Sequence, residues 1–344
     1  MFSRLPLRCP RLVGVGLFLV IPLLLTACTA PQNTFAGQGD QARTILGLYW
    51  LLIGAAAFVG VVVIAMLLYA FFRFRHRPGA GEPQEVHGNT RLEIAWFLIP
   101  TIIVLIVAIP SWRTIFRFGQ APPPNALQVQ VVAHQWWWEF RYLNHRGPDG
   151  NPIVSGNELY LPVGQPVALT LVSSDVIHSF WVPRLAGKMD ANPGVTTRLT
   201  FTPHETGTFY GQCAEFCGLS HALMRFRVKV LPAEEFQQWV QRRQAHTLPP
   251  LVGDVQRGWE VFQARGCNAC HTIDGTSARG IIGPNLTGMA SRDGIAAMAL
   301  PNTPEAMARW LRNPPAVKAG AKMPNLNLTD EEISALVAFM AALK

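Results

Sequence analysis

Two groups of residues in this sequence have the types and spacing to bind metal. The first is Cys213-Ala-Glu215-Phe-Cys217-Gly-Leu-Ser-His221-Ala-Leu-Met224, where two thiols, an imidazole and a thioether fall within twelve residues. Upstream, His178 lies in the run SSDVIHSFWVP, behind a strand-like segment. Thiolate and thioether sulfur with imidazole is a donor set that suits copper, above all where single electrons are exchanged. A lone blue-copper ion needs one Cys, whereas two Cys, two His and a Met provide for two copper ions bridged by both sulfurs. Two other uses stay open. A Cys213–Cys217 disulfide fits an oxidising compartment but gives His178, His221 and Met224 no role. Zinc takes Cys and His but rarely Met. The second group is Cys267-Asn-Ala-Cys270-His271. C-x-x-C-H reads as c-type heme attachment: two thiols a helical turn apart each add to a vinyl group, and the neighbouring His faces the iron. Zinc or a thioredoxin-like pair are the alternatives, and the latter needs a βαβ setting that is absent here. Methionine sulfur opposite His raises a heme's potential. The candidates are Met289, Met298, Met307, Met323 and Met340; Met298, Met307 and Met340 fall in helical stretches, while Met323 stands in the loop AGAKMPNL, which favours Met323 with Met289 second.

These groups need elements to hold them. Leu127, Val129 and Val131 alternate with polar residues as in a half-buried strand. Strand-like runs follow at 158–161, 167–172, 197–201, 208–210 and 225–230, separated by turn residues, so the spacing predicts a β-sandwich with the two-Cys stretch as a loop between strands. In HQWWWEF, a strand would put Trp136 and Trp138 on one face and Trp137 on the other. His134 and His204 read as structural or surface residues. QRRQAHTLPP then reads as a linker. Beyond it, 254–265, 304–312 and 329–343 have helical patterns, the last opening on Thr329 with Glu332 at capping-box spacing.

The N-terminal third is of another kind. The chain has 344 residues, 49% hydrophobic and only 15% charged, against about 25% charged in ordinary soluble chains. Residues 45–72 and 94–116 are long enough to span a bilayer, with Pro100 and Pro110 inside the second, where neighbouring helices tolerate them. Arg73, Arg75 and Arg77 between them place the joining loop in the cytoplasm and everything after about residue 117 outside; Arg113 and Arg117 oppose this but are fewer. The net charge of +8 is mostly here: residues 1–117 hold 10 Lys+Arg against 4 Asp+Glu, 118–250 hold 10 against 9, and 251–344 hold 9 against 8. A nucleic-acid partner would need a basic face on a folded domain, so none is expected. Arg4, Arg8 and Arg11 before the apolar run 12–25 read as a secretory signal. It ends in Leu25-Thr26-Ala27-Cys28, which resembles a bacterial lipobox with Cys28 as the lipidated first residue; a third span is the alternative, but the run falls short of the ~20 residues needed.

Taken together, residues 40–235 resemble the second subunit of cytochrome c oxidase, and the two-Cys loop its dinuclear copper centre, CuA. The resemblance implies a two-helix transmembrane hairpin at 40–117, a cupredoxin-like β-sandwich at 118–238, a linker at 239–251 and an all-α class I cytochrome c domain at 252–344, behind a signal peptide at 1–27. It implies that Cys213 and Cys217 bridge the coppers, with His178 and Met224 on one and His221 and the Glu215 carbonyl on the other. The Glu215 side chain would then hold magnesium at the boundary with subunit I. Trp136 matches the position where electrons reach copper, and Glu93 a carboxylate at the mouth of a proton channel of subunit I. Class I cytochromes c carry a GPNL turn, here Gly283–Leu286, and an axial Met in a Met-Pro loop, here Met323. The whole resembles subunit II of a caa3-type oxidase in the bacterial plasma membrane. Its expected partners are subunit I, other oxidase subunits, lipid, and cytochrome c or another donor. A nitrous oxide reductase shares only the copper domain and would add a His-rich propeller. Quinol-oxidase second subunits lack the ligands. A membrane-tethered carrier outside any oxidase differs in having no need of the two spans.

Overall fold

The computed structural model describes residues 30–76, 79, 81, 85 and 87–344; the signal peptide at 1–27 and Cys28 lie outside the described residues. The chain forms two units, one of residues 43–121 and the other containing the residues up to 42 and those from 122 onward.

The first unit is helical because nothing in its runs interrupts the apolar pattern for long. Helices α1 (Asp40–Arg73) and α2 (Thr90–Phe118) have mean hydropathies of 2.9 and 2.6 over their most apolar windows and bury almost no side chains. That exposure suits lipid rather than water. Asn89 caps α2, its side chain accepting from the Arg91 and Leu92 amides. Within α2 the hydroxyls of Thr101, Ser111 and Thr114 donate back to the carbonyls of Phe97, Val107 and Pro110 at 2.8–2.9 Å, so these three do not face hydrocarbon unpaired.

In the second unit, ten strands form two five-stranded sheets. One orders β3 (Pro152–Gly156), β2 (Trp137–Arg146), β1 (Leu127–His134), β5 (Val167–Ser173) and β8 (Thr197–Phe201). The other orders β4 (Glu158–Pro162), β10 (Arg225–Leu231), β9 (Gly207–Cys213), β6 (His178–Trp181) and β7 (Met189–Ala191). β1 with β5 and β10 with β4 are parallel; the other pairs are antiparallel. The expected alternation holds: Val129, Val131, Trp138, Phe140 and Tyr142 point inward to meet Phe180, Phe226 and Val228 of the opposite sheet. Phe226 stacks on Phe180 with ring centroids 4.7 Å apart. Helix α3 (Ala233–Gln244) runs into the stretch expected as a linker, because Phe236, Trp239 and Val240 seat it on this core.

The C-terminal part has a separate core around Phe262, Leu336 and Phe339. Helix α4 (Gly253–Ala264) crosses α7 (Asp330–Ala342) where Gly258 lies against Ala335 and Phe339. α5 (Pro304–Arg312) and the short α6 (Pro314–Val317) complete it. The predicted capping box of α7 is present in both directions, between Thr329 and Glu332.

Candidate metal and heme centres

The copper-type ligands come from the edge where β9 ends, β10 begins and β6 starts. Cys213 is the last residue of β9, Met224 immediately precedes β10, and a 3-10 turn over His221–Leu223 folds the loop back between them. His178 opens β6, whose Phe180 pairs with Cys213. The ladder thus carries a residue 35 positions away into the loop. Its Nδ1 lies 3.8 Å from the Cys213 sulfur, and the two sulfurs are 3.8 Å apart. Cys217 Sγ is 3.6 Å from His221 Nδ1 and 3.8 Å from Met224 Sδ, and Cys213 Sγ is 3.2 Å from the Glu215 carbonyl oxygen. All six sequence-predicted donors therefore converge. A sulfur separation of 3.8 Å is far beyond a disulfide bond of about 2.05 Å, which removes the disulfide reading of this geometry.

The donor chemistry fits a thiolate-bridged metal pair. The hydrogen bond between the sulfurs pushes the Cys213 thiol down and the Cys217 thiol up. Cys213 is further lowered by His178 and by backbone amides. Burial works against a charged His178, but Asp175 and Cys213 outweigh it and raise its pKa. Asp175 was missed from the sequence. It accepts from His178 Nε2 at 2.8 Å, which fixes Nδ1 as the atom aimed at the metal. Burial opposes ionisation of Asp175, yet His178 and the Gln135 and Val176 amides hold its carboxyl well below the usual range. The signal was available: a carboxylate three residues before a candidate ligand, in SSDVIH.

Trp136 does not lie in a strand. It sits in the tight turn between β1 and β2, where Trp136 and Trp138 are buried and Trp137 is half-buried, stacked on His134. Its indole Nε1 donates to the Cys217 carbonyl at 2.9 Å, and Gln135 Nε2 donates to the same oxygen at 2.8 Å.

The second centre is a cavity of about 240 Å³ whose lining includes Cys267, Cys270, His271 and Met323. Cys267–Ala269 form a 3-10 turn, so both thiols and His271 face one side. His271 Nδ1 is 2.8 Å from the Pro284 carbonyl oxygen. Accepting from Nδ1–H, that carbonyl leaves Nε2 as the ligand atom, and burial pushes the ring's pKa down, toward the neutral form that binds iron. The apolar lining, two free thiols and one oriented imidazole fit a covalent heme. Met289, Met307 and Met340 also line this cavity but belong to the buried core, whereas Met323 only packs against it from its loop. Met298 is not in a helix as expected; it lies in a turn with positive φ. Gln135, Trp136, Trp137 and Asn157 of the sandwich complete the cavity wall. Glu93 stands in the first turn of α2, in the separate helical unit.

These features define a chain with two long apolar helices and a sandwich whose sulfur- and imidazole-bearing loop is of copper-binding type, joined to a helical domain with a heme-type cavity. Residues 39–114 match the family described as cytochrome c oxidase subunit II, transmembrane domain, 127–231 its periplasmic domain, and 255–344 cytochrome c. Cytochrome c oxidase subunit 2 of Alkalihalophilus pseudofirmus is 37% identical over 94% of this chain and 95% of its own. That of Bacillus sp. (strain PS3) is 36% identical over 96% of each, and that of Bacillus subtilis 34% over 95% and 96%. The chain belongs to the cytochrome c oxidase subunit II family and carries a fused cytochrome c domain.

Proposed function

We propose that this chain is the electron-input subunit of a proton-translocating oxidase. It takes electrons from an external donor through its own heme c, passes them to a dinuclear CuA centre and delivers them to the hemes of subunit I, where oxygen is reduced. Heme and copper supply one-electron carriers; the protein's part is to hold and orient them. Cys267 and Cys270 would attach the heme and His271 and Met323 would bind its iron. Cys213 and Cys217 would bridge two coppers, with His178, His221, Met224 and the Glu215 carbonyl completing the set. The Glu215 side chain is left to hold magnesium against subunit I, and Glu93 to stand at a proton-channel mouth. The copper and heme domains would face the periplasm from a bacterial plasma membrane, with Cys28 as a lipid anchor. The observation that carries this reading is Trp136, which lies in the wall of the heme cavity while its indole is bonded to the carbonyl of Cys217.

The test is turnover of the purified complex with a small artificial reductant and no soluble cytochrome. Oxygen consumption is expected, and the Cys217→Ser variant should lose both it and the copper electron paramagnetic resonance signal. A complex that stays inert until soluble cytochrome c is added would refute the fused heme as the immediate donor.

A further inference from the structure

Between the two centres lies a buried polar contact that joins the two domains. Lys318, in the segment that leads to Met323, is only 4% exposed, and among the described residues no carboxylate pairs with it. Lysine is almost never buried this way unless it is partnered. Its Nζ donates instead to two carbonyl oxygens, that of Trp136 at 2.6 Å in the sandwich and that of Ala296 at 3.1 Å in its own domain.

The second carbonyl belongs to an unusual turn. Ala296, Ala297 and Met298 have φ of 52°, 59° and 62°, three consecutive residues other than glycine in the left-handed region. Such backbone is kept only where its surroundings over-determine it. Here the turn presents successive carbonyls at the seam: Ala296 O to Lys318 of its own domain, and Ala297 O across to the Arg225 amide of the sandwich at 3.3 Å, directly after Met224.

Three more contacts follow along the same segment. Ser220 of the copper loop donates its hydroxyl to the Ala319 carbonyl at 2.5 Å. Gly320, with φ of +76°, lies so close to the Trp136 ring that a Cβ there would sit 2.7 Å from Cη2. Lys322 Nζ is 3.5 Å from Asp175, the support of His178.

We propose that Lys318 is a positioning residue for electron transfer: it bolts the loop bearing Met323 to the backbone of Trp136 and so fixes the heme cavity on the copper loop. This rests on the heme-to-copper route proposed above. Gly320 lets the loop lie on the indole, the 296–298 turn supplies the second anchor, and the seated segment covers Trp136, which is 8% exposed. An external donor is thereby kept off the indole and directed to the fused heme.

The experiment replaces Lys318 by Met in the full chain within its complex, with Gly320→Ala as a second variant that lifts the segment from the opposite side. In both, the heme absorption and the copper resonance signal should stay as in the parent. The heme-to-copper rate after flash reduction should fall at least tenfold. Soluble cytochrome c, slow to reduce copper in the parent, should reduce it faster. Independently of any electron transfer, hydrogen exchange at the Arg225 amide should rise at least tenfold while β1 and β5 stay protected. Unchanged rate and exchange in either variant would overturn the proposal, as would losses confined to altered heme or copper spectra. If the parent itself shows no heme-to-copper transfer, it is the route that fails, and the exchange result then decides the bolt alone.

Discussion

Gly283→Ala tests how the heme histidine is held. The glycine amide donates to the Cys270 carbonyl at 2.8 Å, so its backbone is tied to the attachment turn. A Cβ at this position would lie 2.5 Å from His271 Cε1, 2.8 Å from Nδ1 and 3.0 Å from Nε2. Nothing in the backbone conformation at 283 forbids alanine, so the effect is steric. Ordinary contact begins near 3.4 Å, so the ring must withdraw by close to 1 Å from a place fixed by its bond to Pro284 O. Overpacking of this kind costs about 1–3 kcal/mol, and weakening that hydrogen bond adds about 1 kcal/mol. A loss of roughly 2–4 kcal/mol is therefore expected, a large part of the ~5–15 kcal/mol that holds a domain together. Denaturant unfolding followed by heme absorbance would measure it. Carbon monoxide binding to the reduced protein would report an axial bond weakened by the displaced ring. A variant within about 0.5 kcal/mol of the parent, the range of neutral surface changes, and closed to carbon monoxide would refute the claim that Gly283 walls the imidazole.

Two further changes probe the same domain. Gly258→Ala gains up to about 1 kcal/mol of helix propensity, but its methyl would meet the Ala335 carbonyl and stand 2.6 Å from Phe339 Cβ, where α4 crosses α7. Overpacking of about 1–3 kcal/mol should win, so urea unfolding should show a net loss; a gain would mean that the helices part freely. His246, buried with its Nδ1 3.0 Å from the Asp274 carbonyl oxygen, has its pKa pushed down by burial. The unfolded chain then takes up a proton that the folded one refuses. Stability should be level above pH ~6.5 and fall as pH drops below it, and His246→Gln should flatten that slope in a pH series of melts.

The copper donors were legible because five of the six lie within the one stretch 213–224, where spacing alone exposes them. His178 is 35 residues away, and its donor chemistry was readable, but the β6–β9 ladder that delivers it was not: β6 is four residues long and β7 three, too short to show a period. The second half of helix α3 passed for a linker because WVQRRQ is mostly polar, Trp239 and Val240 being its only apolar residues. Trp136 was expected on a strand and lies in a turn, yet its burial beside Trp138 agrees with the alternation read from HQWWWEF. Lys318 could not have been found. Its partner is 182 residues away, and a lysine in AVKAGAKMP looks like any solvated loop lysine until the Trp136 carbonyl is placed beside it.

The seating of the two domains also changes what the fusion does. The eight residues 245–252 that join α3 to α4 would by themselves hold the cytochrome at an effective concentration of order mM, which secures frequent encounters and nothing more. The structure adds polar contacts across the seam. Arg243 of α3 meets Asp274 at 2.6 Å, Lys229 of β10 meets Asp293 at 2.8 Å, and the Asp293 amide donates to Glu158 at 2.7 Å. An electron-transfer contact need bind with no better than about micromolar affinity for a millimolar tether to keep it docked roughly a thousand times more often than free. A surface that would be transient between separate proteins thus becomes a standing one. On the proposed route the donor's collision would move away from Trp136 to the heme domain, and the step into copper would not depend on the concentration of any second molecule.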